Sequence, residues 1–527
     1  MECKLKVRFS LQIMLTAVLS GAIMLGNAAT SASTAQFTAK LYTEGLGRIP
    51  DQSGWRGNLN YWGSVPCNAA NLKASARDIL SSSEFLSTSR SNHERAFRLY
   101  RAVLHRDASV SELNNTISQL NGGTSWVTVI DNLLNNAEFA NRVPLYCSGR
   151  PSGWQATPPA NLVLTSTGAV KDEASLRAAL QSATPGMTVF LEQGATILLS
   201  QPINIPSGVV LATVGEPGSG KAPLLARIAR NAAFTAPMIN MQDNSKLTSV
   251  WVDGQRNRFG FIGGANIQAS GNNTSVVRNL LTDSTGFTHL HNWTSAGLAA
   301  CRNGSVSDNL ITAYGSTHTG GGWSDGISVS CTNIIVERNS IVDATDVGIV
   351  VFRAHPDTQT SVVRNNWILN AGNSAYGGLV ADPLNSLDTN FSSIYPLGTV
   401  LDFTGTQFND NMVWSGPDVH LDFIISNGTR PWFGNSTYTG RGAKFYNNTS
   451  GSETVTAFVG ISVSGMLQAQ VQANAFLVRP GPANINNCGQ RNVVVAPMPY
   501  ANDAGSSIQP FTPVRADDKV VVGCIGH

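Results

Sequence analysis

Val276-Val277-Arg278-Asn279-Leu280-Leu281 sets two apolar residues, a charge and an asparagine before two more apolar residues. The pattern returns around Asp308-Asn309, Arg338-Asn339, Arg364-Asn365 and Asp410-Asn411. A second pattern, glycine then an apolar residue, returns at Gly297-Leu298, Gly326-Ile327, Gly348-Ile349 and Gly378-Leu379, with spacings of 29, 22 and 30 residues. A constant core length with variable loops predicts a solenoid whose coils differ in one loop. One coil cannot bury its own apolar face; stacking at about 4.8 Å pairs each backbone with the next. Asparagine at one turn of every coil is expected to form an interior ladder. The residue before it reads Arg, Asp, Arg, Arg, Asp, a partly alternating row of charge.

Upstream, Leu176–Leu180 predicts a short helix, and Thr188–Leu191 and Val209–Val214 predict strands. The stretch SLRAALQSATPGMTVFLEQGATILLSQPINIPSGVVL, residues 175–211, resembles the cap and first coils of right-handed parallel β-helix proteins of the pectin-lyase-like class. That resemblance implies a mainly β chain, with a right-handed parallel β-helix over 160–480 and a C-terminal cap or tail over 481–527.

Residues 34–150 contain a duplication. Leu41-Tyr42 with Leu46-Gly47-Arg48 recurs 58 residues later as Leu99-Tyr100 with Leu104-His105-Arg106. Ile79-Leu80-Ser81-Ser82-Ser83-Glu84-Phe85 recurs 54 residues later as Leu133-Leu134-Asn135-Asn136-Ala137-Glu138-Phe139. Each unit reads as helix, polar loop, helix, a small all-α domain before the solenoid. The motif Leu-Tyr-x-x-x-Leu-x-Arg with a terminal Glu-Phe resembles a helical domain of unknown function common in secreted bacterial proteins. It implies no catalytic residues; Arg48 and Arg106 are expected to form structural ion pairs or helix caps. Residues 151–159 read as a linker.

Charged residues are 13% of 527 and the net charge is +2, which argues against coiled coils, charge-driven disorder and nucleic-acid binding through a basic field. Lys4, Lys6 and Arg8, an apolar run from Leu11 to Gly26 and small residues from Ala28 to Ser33 read as a secretory signal over 1–29. The expected product is secreted, periplasmic or extracellular, monomeric, and without a membrane span. Six cysteines remain, with expected pairs Cys67–Cys147, Cys301–Cys331 and Cys488–Cys524. Gly215 to Ala222 nearly spells a phosphate-binding loop, but Ala222 stands where the magnesium-binding hydroxyl belongs.

Chemistry is expected on the loops 284–296, 314–325, 345–347 and 370–376, which fall between the asparagine and glycine patterns, and on 382–398. Trp293, Tyr314, Trp323, His355 and Tyr376 would contact sugar, whose C–H faces suit aromatic rings. Asp325 and Asp346, one residue out of register on neighbouring coils, form the expected acid and base pair, with Asp343 as a third member. His318 and Arg353 would orient them. The alternative is that these aspartates cap turns. Ser324-Asp325-Gly326-Ile327 resembles one strand of polygalacturonase-like hydrolases, though that family's Asp-Asp, Gly-His-Gly and Arg-Ile-Lys motifs are missing. The expected function is a polysaccharide-active enzyme, a glycoside hydrolase needing no cofactor. A lyase or epimerase, with Ca²⁺ and Arg353 as base in the lyase case, and a non-catalytic glycan-binding surface or matrix protein remain alternatives. His289-x-His291 could offer two metal ligands, but no third is specified.

Overall fold

In the computed structural model, the described residues are 32–87, 90–148, 169–215, 224–293, 301–312, 321–352, 358–383, 396, 399–428, 440–464, 466–480, 492–497, 507–508 and 519–522. The signal region, the linker, most of the phosphate-loop look-alike, Cys488 and Cys524 lie outside them.

From Thr188 onward the chain coils as a parallel β-helix, every strand pairing in parallel with strands one coil away. Each coil contributes to three ladders. Ladder one includes Lys246–Thr248, Ser275–Val277, Ser305–Ser307 and Ile335–Glu337. Ladder two includes Val250–Asp253, Leu280–Thr282, Leu310–Thr312, Ser340–Val342 and Trp367–Asn370. Ladder three includes Thr288–Asn292, Asp325–Val329, Val347–Phe352, Ala375–Asp382 and Leu421–Gly428. Helix Glu173–Ser182 closes the first coil by burying Leu176 and Leu180 in the core. Strands at 492–497, 507–508 and 519–522 continue the ladders, so the coil extends beyond the expected boundary at 480.

The asparagine ladder runs between ladders one and two. Side-chain amides donate in sequence from Asn279 to Asn309, Asn339, Asn366, Asn411, Asn448 and Asn474 at 2.8–3.1 Å. Each acceptor oxygen also takes the backbone N–H of the preceding member, as Asn366 does from Asn339 at 3.0 Å. The residue before each is left-handed: Arg278, Asp308, Arg338, Asn365, Asp410, Asn447 and Ala473 have φ of 52–58°. That turn aims the next side chain inward. It corrects the expected register in one coil, where Asn365 makes the turn and Asn366 joins the ladder. The charge row is therefore Arg, Asp, Arg, Asn, Asp.

A second correction concerns the glycine pattern. Leu290 pairs with Ile327, so His289 occupies the position of Gly326, and Gly297 lies outside the described residues. Insertions also leave both corners flanking ladder three, not one. The Cys301–Cys331 bond nevertheless forms, as does Cys67–Cys147.

The duplicated sequence folds into paired structures. Arg48 forks onto Glu84 at 2.6 and 2.8 Å, and Arg106 onto Glu138 at 2.7 and 2.5 Å. Both arginines lie over the tyrosine of their own unit, and Phe85 and Phe139 are fully buried. Gly47 and His105 end the two equivalent helical segments with positive φ.

This helical region is packed onto the solenoid. Ala35, Ala39, Ile49 and Trp55 share a core with Val342, Leu369, Ala371 and Trp414. Gly372 permits the approach: a Cβ there would lie 2.4 Å from Gln36. Asp107 receives Arg101 at 2.7 Å and Arg227 of ladder two at 2.9 Å, and Arg227 also pairs with Asp253. Both guanidinium groups stack on Trp251.

Candidate active site

The site lies on ladder three, and its glycines decide where Asp325 points. Strict alternation would put Asp325 on the same side as Ile327 and Val329, which are in the core. Gly326 breaks the alternation. A Cβ on Gly326 would lie 2.6 Å from the Gly348 carbonyl and 2.8 Å from core Ile341, and Gly348 and Gly378 meet the next coil equally closely. A side chain there would collide with the stack, so glycine takes the inward position and its neighbour turns out. Val347, level with Asp325, accordingly packs with Val350 and Val380 in a cluster separate from the main core.

Asp325 accepts the Ser328 hydroxyl at 2.6 Å and the Val347 N–H at 3.0 Å. It is 8% exposed. Burial pushes its pKa well above the usual carboxylate value; the charges of Asp346 and Asp382 push the same way, against the two hydrogen bonds. Asp382, on the coil beyond Asp346, is 3% exposed. Asp346, Tyr376 and Asp422 occupy one column on three consecutive coils, as the strand register requires. Burial raises the Tyr376 phenol pKa, with Asp422 and Asp346 adding to it. Trp323 stands edge-on to Tyr376 with ring centroids 5.0 Å apart. Two residues earlier in the coil, Ser374 and His420 lie side by side, the Ser374 hydroxyl 3.1 Å from His420 Nδ1.

His289 lies directly beneath. Its Nδ1–H donates to the Asp325 carbonyl at 3.0 Å and its Nε2 accepts the Ser284 N–H at 3.4 Å. Burial pushes its pKa down to about 4, so it is neutral and positions the strand. His291 is pushed down to about 4 by burial as well, and stacks on Trp293 at 5.1 Å.

Asp325, Asp346, Trp323 and Tyr376 therefore come together. Asp343 does not join them: its Oδ1 accepts the N–H groups of Ala371, Gly372 and Asn373 at 2.7–3.1 Å, and Lys40 of the first helix bears on it. It caps the turn at the helical interface. Trp293 packs against the core rather than beside the carboxylates. Tyr314, His318, Arg353 and His355 lie outside the described residues. No motif marks Asp422 or Asp382; both emerge from strand register. Among the described residues no group of three or more His, Cys, Asp or Glu is arranged to hold a metal ion, and no helix is long and apolar enough to cross a membrane.

Residues 76–143 match the family described as a domain of unknown function, DUF4214. No curated protein matches the sequence. Among solved structures, the chain is similar to an alginate lyase from Paenibacillus sp. str. FPU-7, at 11% identity over 60% of this chain and 98% of that one, with a TM-score of 0.33. It is similar to a hyperthermoactive exopolygalacturonase from Thermotoga maritima at 12% identity over 60% and 76%, with a TM-score of 0.32. The catalytic domain of a GH87 α-1,3-glucanase follows at 10% identity over 63% and 70%, with a TM-score of 0.24. These likenesses concern the fold alone, and the family match covers only part of the helical region.

Proposed function

We propose that the protein is an exported glycoside hydrolase that binds a polysaccharide along ladder three. The observation that carries this reading is Asp325: a carboxyl turned outward by Gly326, buried, and opposed by two further aspartates on the next two coils. A raised pKa favours the protonated carboxyl, the form that can donate to a glycosidic oxygen. Asp346 is the partner in this reading, acting on the sugar or on water. Trp323 and Tyr376 offer an aromatic corner for a sugar face.

The test is incubation with a panel of neutral and acidic polysaccharides, reading reducing ends and the absorbance of unsaturated products together. Reducing ends without absorbance are expected, and Asp325→Asn should abolish them while binding persists. Full turnover by Asp325→Asn removes the assignment; absorbance moves it to elimination. A second reading, a non-catalytic glycan-binding protein, draws on the same two bonds to Ser328 and Val347, which a turn-capping aspartate would also make. It predicts binding by both proteins and turnover by neither.

A further inference from the structure

On ladder three, Thr288, Asp325, Val347, Gly377, Phe423 and Val459 fall level on consecutive coils. The residues just before them therefore form one column: Phe287, Ser324, Asp346, Tyr376, Asp422 and Phe458. Ala375, Leu421 and Ala457 lie in the core, so alternation turns Tyr376, Asp422 and Phe458 outward. At the other end Phe287 is 63% exposed, more than any other large apolar side chain among the described residues. A lone exposed phenyl means little, but Phe287 is not alone. Phe261 of the preceding coil, itself partly exposed, stands edge-on to it with ring centroids 4.7 Å apart. Phe458 lies against His420 with ring centroids 4.2 Å apart. The column thus carries an aromatic ring at each end and a third, Tyr376, beside Trp323 between them. Asp346 and Asp422 occupy the intervals.

We infer that Phe287 and Phe458 are the outer binding positions of a glycan chain that lies along the solenoid axis. This rests on the reading of ladder three as a glycan site and deepens it, because it sets how much of the chain the site holds. At about 4.8 Å per coil the two phenylalanine positions are about 24 Å apart. An extended pyranose chain advances by about one unit per coil step, so the column spans about six units. Each ring offers a face to the C–H side of a sugar, and the carboxylates between them accept its hydroxyls. Asp346 stands between the two outer rings, so the chain is held on both sides of the carboxylates proposed to act on it.

The experiment is titration calorimetry of the full mature chain with size-graded oligosaccharides of cellulose, xylan, mannan and polygalacturonate, from disaccharide to octasaccharide. In at least one series affinity should rise with length and level off near the hexasaccharide. Phe287→Ala and Phe458→Ala should each weaken that hexasaccharide about 2- to 10-fold. Both should leave the trisaccharide unchanged, since the Trp323–Tyr376 corner holds it. Phe287→Tyr and Phe458→Tyr keep a ring and should keep the affinity, which separates a lost ring from a disturbed fold. Affinity independent of length, equal weakening at every length, unchanged hexasaccharide binding in both alanine variants, or binding of no series overturns the inference. The two proposals fail separately. Length-dependent binding that needs both phenylalanines, with no cleavage, keeps this inference and ends the hydrolase. Cleavage lost in Asp325→Asn, with binding indifferent to Phe287 and Phe458, does the reverse.

Discussion

The helical interface and ladder three both bury aspartates, with opposite results. At the interface, burial alone would raise the Asp107 pKa, but Arg227 and Arg101 outweigh it and hold the carboxyl below its usual range. On ladder three, burial raises the Asp325 pKa, and Asp346 and Asp382 push it further up. Burial is common to both; the sign of the neighbours separates an aspartate that holds two regions together from one pushed toward its protonated form.

The sharpest way to break this comparison is Asp325→Asn. Turnover of a cleaved glycan should fall about 10²- to 10⁴-fold, while the melting temperature stays level or rises, because a disfavoured carboxyl has been removed. Loss of stability with retained turnover would place Asp325 in the same structural class as Asp107. At the interface, Arg227→Met should do the converse. It leaves Asp107 and Asp253 short of a cation at a site where Arg227 is 5% and Asp253 1% exposed. Removing one partner from a buried pair costs about 3–5 kcal/mol, measurable by chemical denaturation. Glycan binding should survive below the transition.

Titration separates the two groups by sign. Asp325 has a raised folded pKa, so its contribution to stability is complete below the unfolded value near 3.8 and is lost as pH rises through the folded value. Wild-type stability relative to Asp325→Asn should therefore decline as pH rises. Asp107 has a lowered folded pKa, so its contribution is present above 3.8 and lost as pH falls through the folded value. Wild type relative to Asp107→Asn should lose its advantage toward acid. Unfolding curves across pH that slope alike for both pairs would end the distinction. The smallest effect compares the two helical units. Arg48 is 36% exposed and Arg106 11%. Arg48→Ala should cost less than about 1 kcal/mol, and Arg106→Ala, which also strands Glu112, should cost more.

The asparagine row and the glycine row disclosed a solenoid in the sequence because each coil repeats one packing problem. Of two adjacent asparagines the pattern picks Asn365 for the ladder, one residue early, because the left-handed turn falls at Asn365 and Asn366 points inward. The helical duplication was equally legible: Arg48 and Arg106 were expected in ion pairs, and their partners are the duplicated Glu84 and Glu138. That the helical region packs onto the coil was not legible. Its interface joins residues hundreds of positions apart, such as Gln52 with the Ser450 carbonyl.

For the site, the sequence supplied Asp325 and Asp346 by their distance from two glycines that prove equivalent. It left open which way either carboxyl points, since alternation argues against an outward Asp325. Local pattern determines what repeats along the chain: turns, core positions and the stacking residues that satisfy buried backbone. Only the tertiary structure decides what meets across coils, because the electrostatic influence of Asp346 and Asp382 on Asp325, or of Lys40 on Asp343, depends on coil lengths and on the close approach at Gly326 that turns one aspartate outward. The separation of an outward Asp325 from Asp343 as a turn cap therefore belongs to the fold, although both read alike as aspartates near a turn.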